Sequence, residues 1–223
     1  MYLLNIWTCH GRAMRRTEDL RFVTGHGCYV DDFARPRLTH AVVVRSTVAH
    51  ARLERIDTAQ ARALRGVLAV LTSPDLRALT AIPLRLAPLP GFDRYLQAPL
   101  ADDEVRYVGE PVAVVIAEDR YGAEDAAALV ALEYDHLPAV VEAHRAQADD
   151  VVIHTARGTN VASTYTVSRG DPDGAFAAAD YTRAETFRCQ RHTAVPIETR
   201  TRRCTWGESC ARYPTGSFGE ARR

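Results

Sequence analysis

Between residues 106 and 141 the chain reads RYVGEPVAVVIAEDRYGAEDAAALVALEYDHLPAVV. There a Gly-Glu-Pro turn, an unbroken apolar run, an alanine-rich segment and a second apolar run follow one another. That order predicts strand, helix, strand. Residues 112–117 have the length of a strand buried on both faces, and Pro111 can open it because a missing N–H is tolerated at a strand's first position. Asp119 is the expected cap of a helix over 120–132, with Glu124 and Asp125 placed to meet the helix dipole. Alanines 123, 126, 127, 128 and 131 let that helix lie close on a sheet.

Upstream, residues 38–46 read as a strand, and 51–56 alternate charged with apolar side chains as a half-exposed strand does. Asp57 is the expected cap of a short helix over 58–64, closed by Gly66 in a left-handed conformation. A third strand, 67–71, runs into Ser73-Pro74-Asp75, a cap, a first-turn proline and an acid. Five prolines and glycines within 81–99 mark a long surface loop. Residues 142–173 are polar and irregular and predict a linker, with a domain boundary near 145–170. Residues 174–180 and a strand-like 181–188 follow.

Composition narrows the function classes. The 223 residues carry 28 basic and 28 acidic side chains, and every basic one is arginine. A net charge of zero argues against nucleic acid as partner of the whole chain. Cysteines 9, 28, 189, 204 and 210 are odd in number and unevenly spread, which points to reduced thiols in the cytoplasm. The start, MYLLNIWTCHGRAMRR, has no charge before its apolar stretch and is too short to span a membrane, so neither a leader nor a membrane partner is expected, and Met14 is a second possible start.

Candidate chemistry is sparse. Thr24-Gly25-His26-Gly27-Cys28 holds G-x-G without the third glycine of a dinucleotide loop, and reads as a tight turn. Glu110 between Gly109 and Pro111 is either a general base or an acceptor of turn N–H groups, and the second reading is preferred. His26, His40, His50, His136, His144 and His154 have no partner at ligand spacing. Cys189, His192, Cys204 and Cys210 are four zinc-type ligands at loose spacing. They define an alternative function, a small zinc-binding interaction module with an Arg-rich tail. Residues 201–223 have no helical or strand periodicity.

Three stretches carry a family resemblance: RTEDLRFVTGHGCYVDD at 16–32, HAVVVRSTVAHARLERIDTAQARALRGVLAVLTSPDL at 40–76, and the 106–141 segment. Together they resemble the N-terminal part of the molybdenum-binding large subunit of the xanthine dehydrogenase and aldehyde oxidase family, including carbon monoxide dehydrogenase large subunits. The likeness resumes at Gly170-Asp171 and runs through AFAAADYTRAETFRCQRHTAVPIETR. It implies an α+β fold, an α/β hammerhead domain followed by an incomplete start of a molybdopterin-binding domain. The implied organisation is an N-terminal extension at 1–15, the hammerhead at 16–145, a linker at 146–169, the start of the cofactor domain at 170–200 and an aberrant or disordered tail at 201–223.

In such proteins the hammerhead is a scaffold beside the substrate funnel. The resemblance implies an oxidoreductase that hydroxylates an aldehyde or N-heterocycle, or oxidises carbon monoxide, at a molybdenum–pterin cofactor, passing electrons to iron–sulfur and FAD subunits or domains. The family's catalytic glutamate, glutamine and glycine-rich loops belong to later sequence. Trp206 and Ser217-Phe218-Gly219 do not match those motifs. No catalytic, cofactor-binding or metal residue is therefore assigned, and no cofactor is expected for this chain alone. The departure near Thr201 reads as a truncation or a frameshift.

Overall fold

The computed structural model describes residues 17–29, 32, 36–83, 91–189 and 195, and the backbone of 202–203 and 211–212. Contacts group Arg37–Arg183 into one unit and Met1–Pro36 with Ala184–Arg223 into another.

The larger unit is built on two three-stranded sheets. The first has the order β1-β5-β3, from His40–Arg45, Pro111–Ala117 and Val67–Leu71, all antiparallel. The second has the order β4-β2-β6, from Glu104–Val105, Ala51–Asp57 and Ala131–His136. As the unbroken apolar run predicts, β5 is central and buried, with Val112, Ala113, Val115 and Ala117 fully covered. It contributes to two cores. Val115 packs with Ala61, Val70, Ala126 and Val130, while Val112 packs with Ala51, Ala101 and Val105. Ile56 and Leu132 touch both clusters. Burying each β5 valine contributes about 1.5–3 kcal/mol.

Helix α3, Arg120–Ala128, begins where expected: the Asp119 side chain accepts the Gly122 N–H at 2.8 Å. It ends earlier than its composition predicts. Ala131 and Leu132, placed in the helix by the sequence reading, open β6, because 131–136 pairs with β2 along its length. The strand signal is present in the alternation of half-buried Leu132 and Tyr134 with exposed Glu133 and Asp135. The apolar residues 137–141 then form no strand. Ala123, Ala126 and Ala127 pack inward, but Ala128 and Ala131 are exposed. Glu124 and Asp125 lie beyond the first turn, and Glu124 instead pairs with Arg120 at 3.0 Å.

Helix α2 is Ala59–Ala63. Asp57 Oδ1 accepts the Ala59 N–H at 2.9 Å although Thr58 is the formal cap residue, and Gly66 takes φ +87° as the turn demands. At Ser73–Leu76 the helix is a 3-10 turn whose cap is Thr72 rather than Ser73. Thr72 and Asp75 bond reciprocally there. Within 81–99 the described residues hold a 3-10 turn, Phe92–Tyr95, and a single bridge between Ile82 and Gln97.

The segment expected to be a polar linker is tied down by side chains. Helix α4, Ala143–Ala146, is followed by a loop centred on Asn160. The Asn160 amide donates to Ala146 O and Val151 O at 3.1 and 2.8 Å, and its oxygen accepts the Ile153 N–H at 2.8 Å. Asp149, at φ +54°, accepts from the Thr159 hydroxyl and the Asn160 N–H, which hold its carboxyl below the usual carboxylate range. Tyr95 donates its hydroxyl to Thr159 O, and Arg157 donates to Arg94 O. Beyond it the packing stops: from 164 to 183 every residue is exposed, including Tyr165, Val167, Phe176 and Tyr181. A capped helix α5, Pro172–Ala177, interrupts this stretch, and residues 181–189 form no strand despite their composition.

In the smaller unit, helix α1, Asp19–Val23, is followed by Gly25 at φ +74°, so the G-x-G motif is a turn after a helix. Phe22 and Tyr29 stack at 5.9 Å. The backbone of β7, Arg202–Arg203, pairs antiparallel with β8, Ala211–Arg212. Met14, Cys9, His192, Cys204, Trp206, Cys210 and Ser217 to Gly219 lie outside the described residues. Among the described residues no helix is long and apolar enough to cross a membrane.

Two outcomes follow from this packing. Limited trypsin treatment is expected to cut after Arg169 before it cuts after Arg62 or Arg120, read by mass spectrometry of the early fragments. Replacing Asn160 by Ala leaves three backbone groups without their partners and is expected to cost about 2 kcal/mol in chemical denaturation. A loss below about 0.5 kcal/mol would show that the loop is not held this way.

Candidate functional site

The densest group of buried polar side chains surrounds the Gly109-Glu110-Pro111 turn. Gly109, at φ +91°, adopts a conformation that side chains resist, and this reverses the chain into β5. The turn is bolted to the end of β1. Gly109 N–H donates to Ser46 O, Ser46 N–H to Glu110 O, and the Arg45 guanidinium to Gly109 O, each at 2.8 Å.

Glu110 is 4% exposed and accepts N–H groups from Arg106 and Tyr107. Burial pushes its carboxyl above the usual carboxylate range, against the N–H bond and charge of Arg106, the Tyr107 N–H and the charge of His50. Arg106 also pairs with buried Glu104 at 2.8 Å. His50 donates from Nδ1 to Pro138 O at 2.6 Å, which leaves Nε2 buried and without a partner. His154 packs edge-on against Tyr95, with ring centroids 4.9 Å apart. Burial and then the charges of Arg106 and Arg157 hold His154 below the usual histidine range, with Glu104 opposing them.

This arrangement is closed. The Glu110 carboxylate is buried and engaged by turn amides, as the preferred sequence reading holds. A cavity of about 280 Å³ lies elsewhere, lined by residues 139–142 with Arg145, Asp150 and Val151. Its one guanidinium, Arg145, stands among two acids, Glu142 and Asp150, so the lining carries net negative charge and does not suit an anionic pterin. The left-handed glycines at 25, 109, 158 and 170 face open space and build no cradle for a phosphate. The described residues therefore do not fit the molybdenum–pterin group that the resemblance implies.

The remaining candidates have local roles or stand apart. His26 meets Thr24, His144 pairs with Glu142 at 3.0 Å, and His136 lies beside Tyr134. Cys189 is exposed, and its three proposed zinc partners fall outside the described residues. Among the described residues no group of three His, Cys, Asp or Glu side chains is arranged to hold a metal ion. Sequence reading missed Arg106, Glu104 and His50 as members of one cluster, because β4 is two residues long and gives no periodic signal.

The profile of the family described as "Aldehyde oxidase and xanthine dehydrogenase, a/b hammerhead domain" matches residues 24–138. This chain belongs to that family. The hammerhead chain is 39% identical to the nicotine 6-hydroxylase large subunit of Paenarthrobacter nicotinovorans over 190 residues, covering 85% of itself and 23% of that protein. It is 37% identical to the carbon monoxide dehydrogenase large chain of Afipia carboxidovorans, with 85% and 24% covered. Its structure superposes on quinoline 2-oxidoreductase from Pseudomonas putida 86 with a TM-score of 0.73 and 35% identity, over 86% of this chain and 24% of that one. The hammerhead chain thus spans about a quarter of the length of the relatives it matches.

Replacing Glu110 by Gln is expected to cost about 1 kcal/mol, since one acceptor oxygen is lost from the turn. The cost should depend on pH. A carboxyl that holds its proton more tightly when folded favours folding below its usual value of 4.5, and that contribution is lost as pH rises through the raised value. The substitution should therefore cost more at pH 4 than at pH 7.5, measured by urea denaturation. A cost that grows toward neutral pH contradicts the assignment.

Proposed function

We propose that this chain supplies the hammerhead scaffold, and the first part of the molybdopterin-binding domain, of a molybdenum hydroxylase large subunit. The observation that carries it is the superposition on quinoline 2-oxidoreductase, in which 86% of this chain finds its place within 24% of the other. The buried polar cluster at Glu110 supports a structural role: its hydrogen bonds fasten β5 to β1 and engage the Glu110 carboxylate with turn amides. In this reading the cofactor is held by polypeptide other than the residues described, and iron–sulfur and FAD subunits or domains take the electrons. The domain organisation is the hammerhead at 16–145, a linker at 146–169 and the opening of the cofactor domain at 170–200. Free thiols at Cys28 and Cys189 support a cytoplasmic setting.

A chimera tests the scaffold role. Residues 24–138 replace the matched segment of the Paenarthrobacter nicotine 6-hydroxylase large subunit, expressed with its natural partner subunits. Molybdenum content should match the parent, and nicotine-dependent dye reduction should fall less than tenfold. Loss of the metal from a folded chimera contradicts the proposal. The 223-residue chain purified by itself should hold no stoichiometric molybdenum and reduce no dye with aldehydes or N-heterocycles, and the opposite result contradicts the assignment equally.

A further inference from the structure

Residues 149–162 are fastened to the turn Phe92–Tyr95 at several points. Tyr95 donates its hydroxyl to Thr159 O at 3.1 Å, and Arg157 Nε donates to Arg94 O at 2.9 Å. The His154 ring stands edge-on to Tyr95, with 81° between the planes. Gly91 lets the two segments come so close that a first side-chain carbon there would stand 3.0 Å from Ala162 O. His154 also sets the local backbone, since its carbonyl accepts the N–H groups of Arg157 and Gly158 at 2.7 and 3.3 Å. Beyond this junction the packing ends, because every residue from 164 to 183 is exposed.

We propose that His154 is an acid-sensitive latch: its neutral ring holds residues 149–162 on the Phe92–Tyr95 turn, and protonation releases that segment while both sheets stay folded. The ionisable groups around the ring are Tyr95 on the facing turn, His50 at the entry to β2, Glu104 and Arg106 at β4, and Arg157 on its own turn. Glu104 is already paired with Arg106 at 2.8 Å, so the one acid of this group is shared. Burial first, and then the charges of Arg106 and Arg157, hold the ring below the usual histidine range, with Glu104 opposing them and His50 adding to them. A ring that sheds its proton more readily when packed gives stability that is present above the usual value of 6.5. That stability is lost as pH falls from there toward the lowered value. The acids nearby act otherwise. Asp149, in the same segment, is held below its usual 3.8 and stays charged at pH 5.5. The raised carboxyl of Glu110 makes the fold more stable in acid, which is the opposite sign.

Hydrogen exchange of the 223-residue chain at pH 7.5 and 5.5, with each rate divided by the intrinsic rate at that pH, tests the latch. The reporters are the Ile153 and Asn160 amides, which donate to Asn160 Oδ1 and Asp149 Oδ1. Their opening should rise by at least about threefold at pH 5.5, while Val114 and Val115 in β5 do not change. In His154→Phe, which keeps an aromatic ring against Tyr95, this pH dependence should vanish. An equal rise in β5, no rise at Ile153 and Asn160, or a rise that survives in a folded His154→Phe chain overturns the proposal. If that variant does not fold, NMR titration of the His154 ring in the unaltered chain decides. A midpoint below 6.5 that coincides with the rise in opening upholds the latch, and any other result overturns it.

Discussion

The double burial of strand β5 is the constraint on which the larger unit depends. Val115 faces the helices and Val112 faces the second sheet, so a single seven-residue strand contributes to two cores. Ile56 and Leu132 touch both clusters and close the gap between them. A strand in this position cannot carry a polar side chain at either parity, which is why its sequence has none. Its entry must also be fixed, because a one-residue slip would exchange the two faces. The left-handed Gly109 and the bonds from Ser46 and Glu110 set that register.

The same constraint explains why the best-made polar group of the chain is not a catalytic centre. Burial raises the carboxyl of Glu110, a property often found at active sites, but its partners are turn amides. Geometry decides between the two meanings: a base must reach a substrate proton, and Glu110 is 4% exposed with its carboxylate taken up by the N–H groups of Arg106 and Tyr107. The cluster of His50, Glu104, Arg106 and His154 is accordingly a fastening of β4 and the 150–160 segment to the sheet edges.

Much of this was legible in the sequence wherever one residue decides the local structure. The β5 run, the Asp119 cap, the Gly66 turn and the Glu110 acceptor each follow from a single steric or hydrogen-bonding demand. Reading failed where tertiary partners decided. Alanine-rich 126–132 favours helix by propensity, yet pairing with β2 claimed residues 131 and 132. The 142–160 segment has no periodicity because Asn160 and Asp149 organise it through side chains rather than through a repeating apolar face. Residues 181–188 have the composition of a strand, and composition by itself supplies no neighbouring strand to pair with. The Arg106 cluster is assembled from three separated segments, at residues 50, 104–110 and 154, a long-range arrangement that no local pattern records.

The account separates a cooperative body centred on β5 from the exposed stretch that follows residue 163. Native-state hydrogen exchange of the 223-residue chain measures that division most directly. The amides of Val114 and Val115 should exchange only through global unfolding, with an opening free energy equal to that from denaturant melts, while amides between residues 164 and 169 exchange at nearly unprotected rates. Protection between 164 and 169 equal to that of β5, or local opening of β5 below the global value, would contradict it.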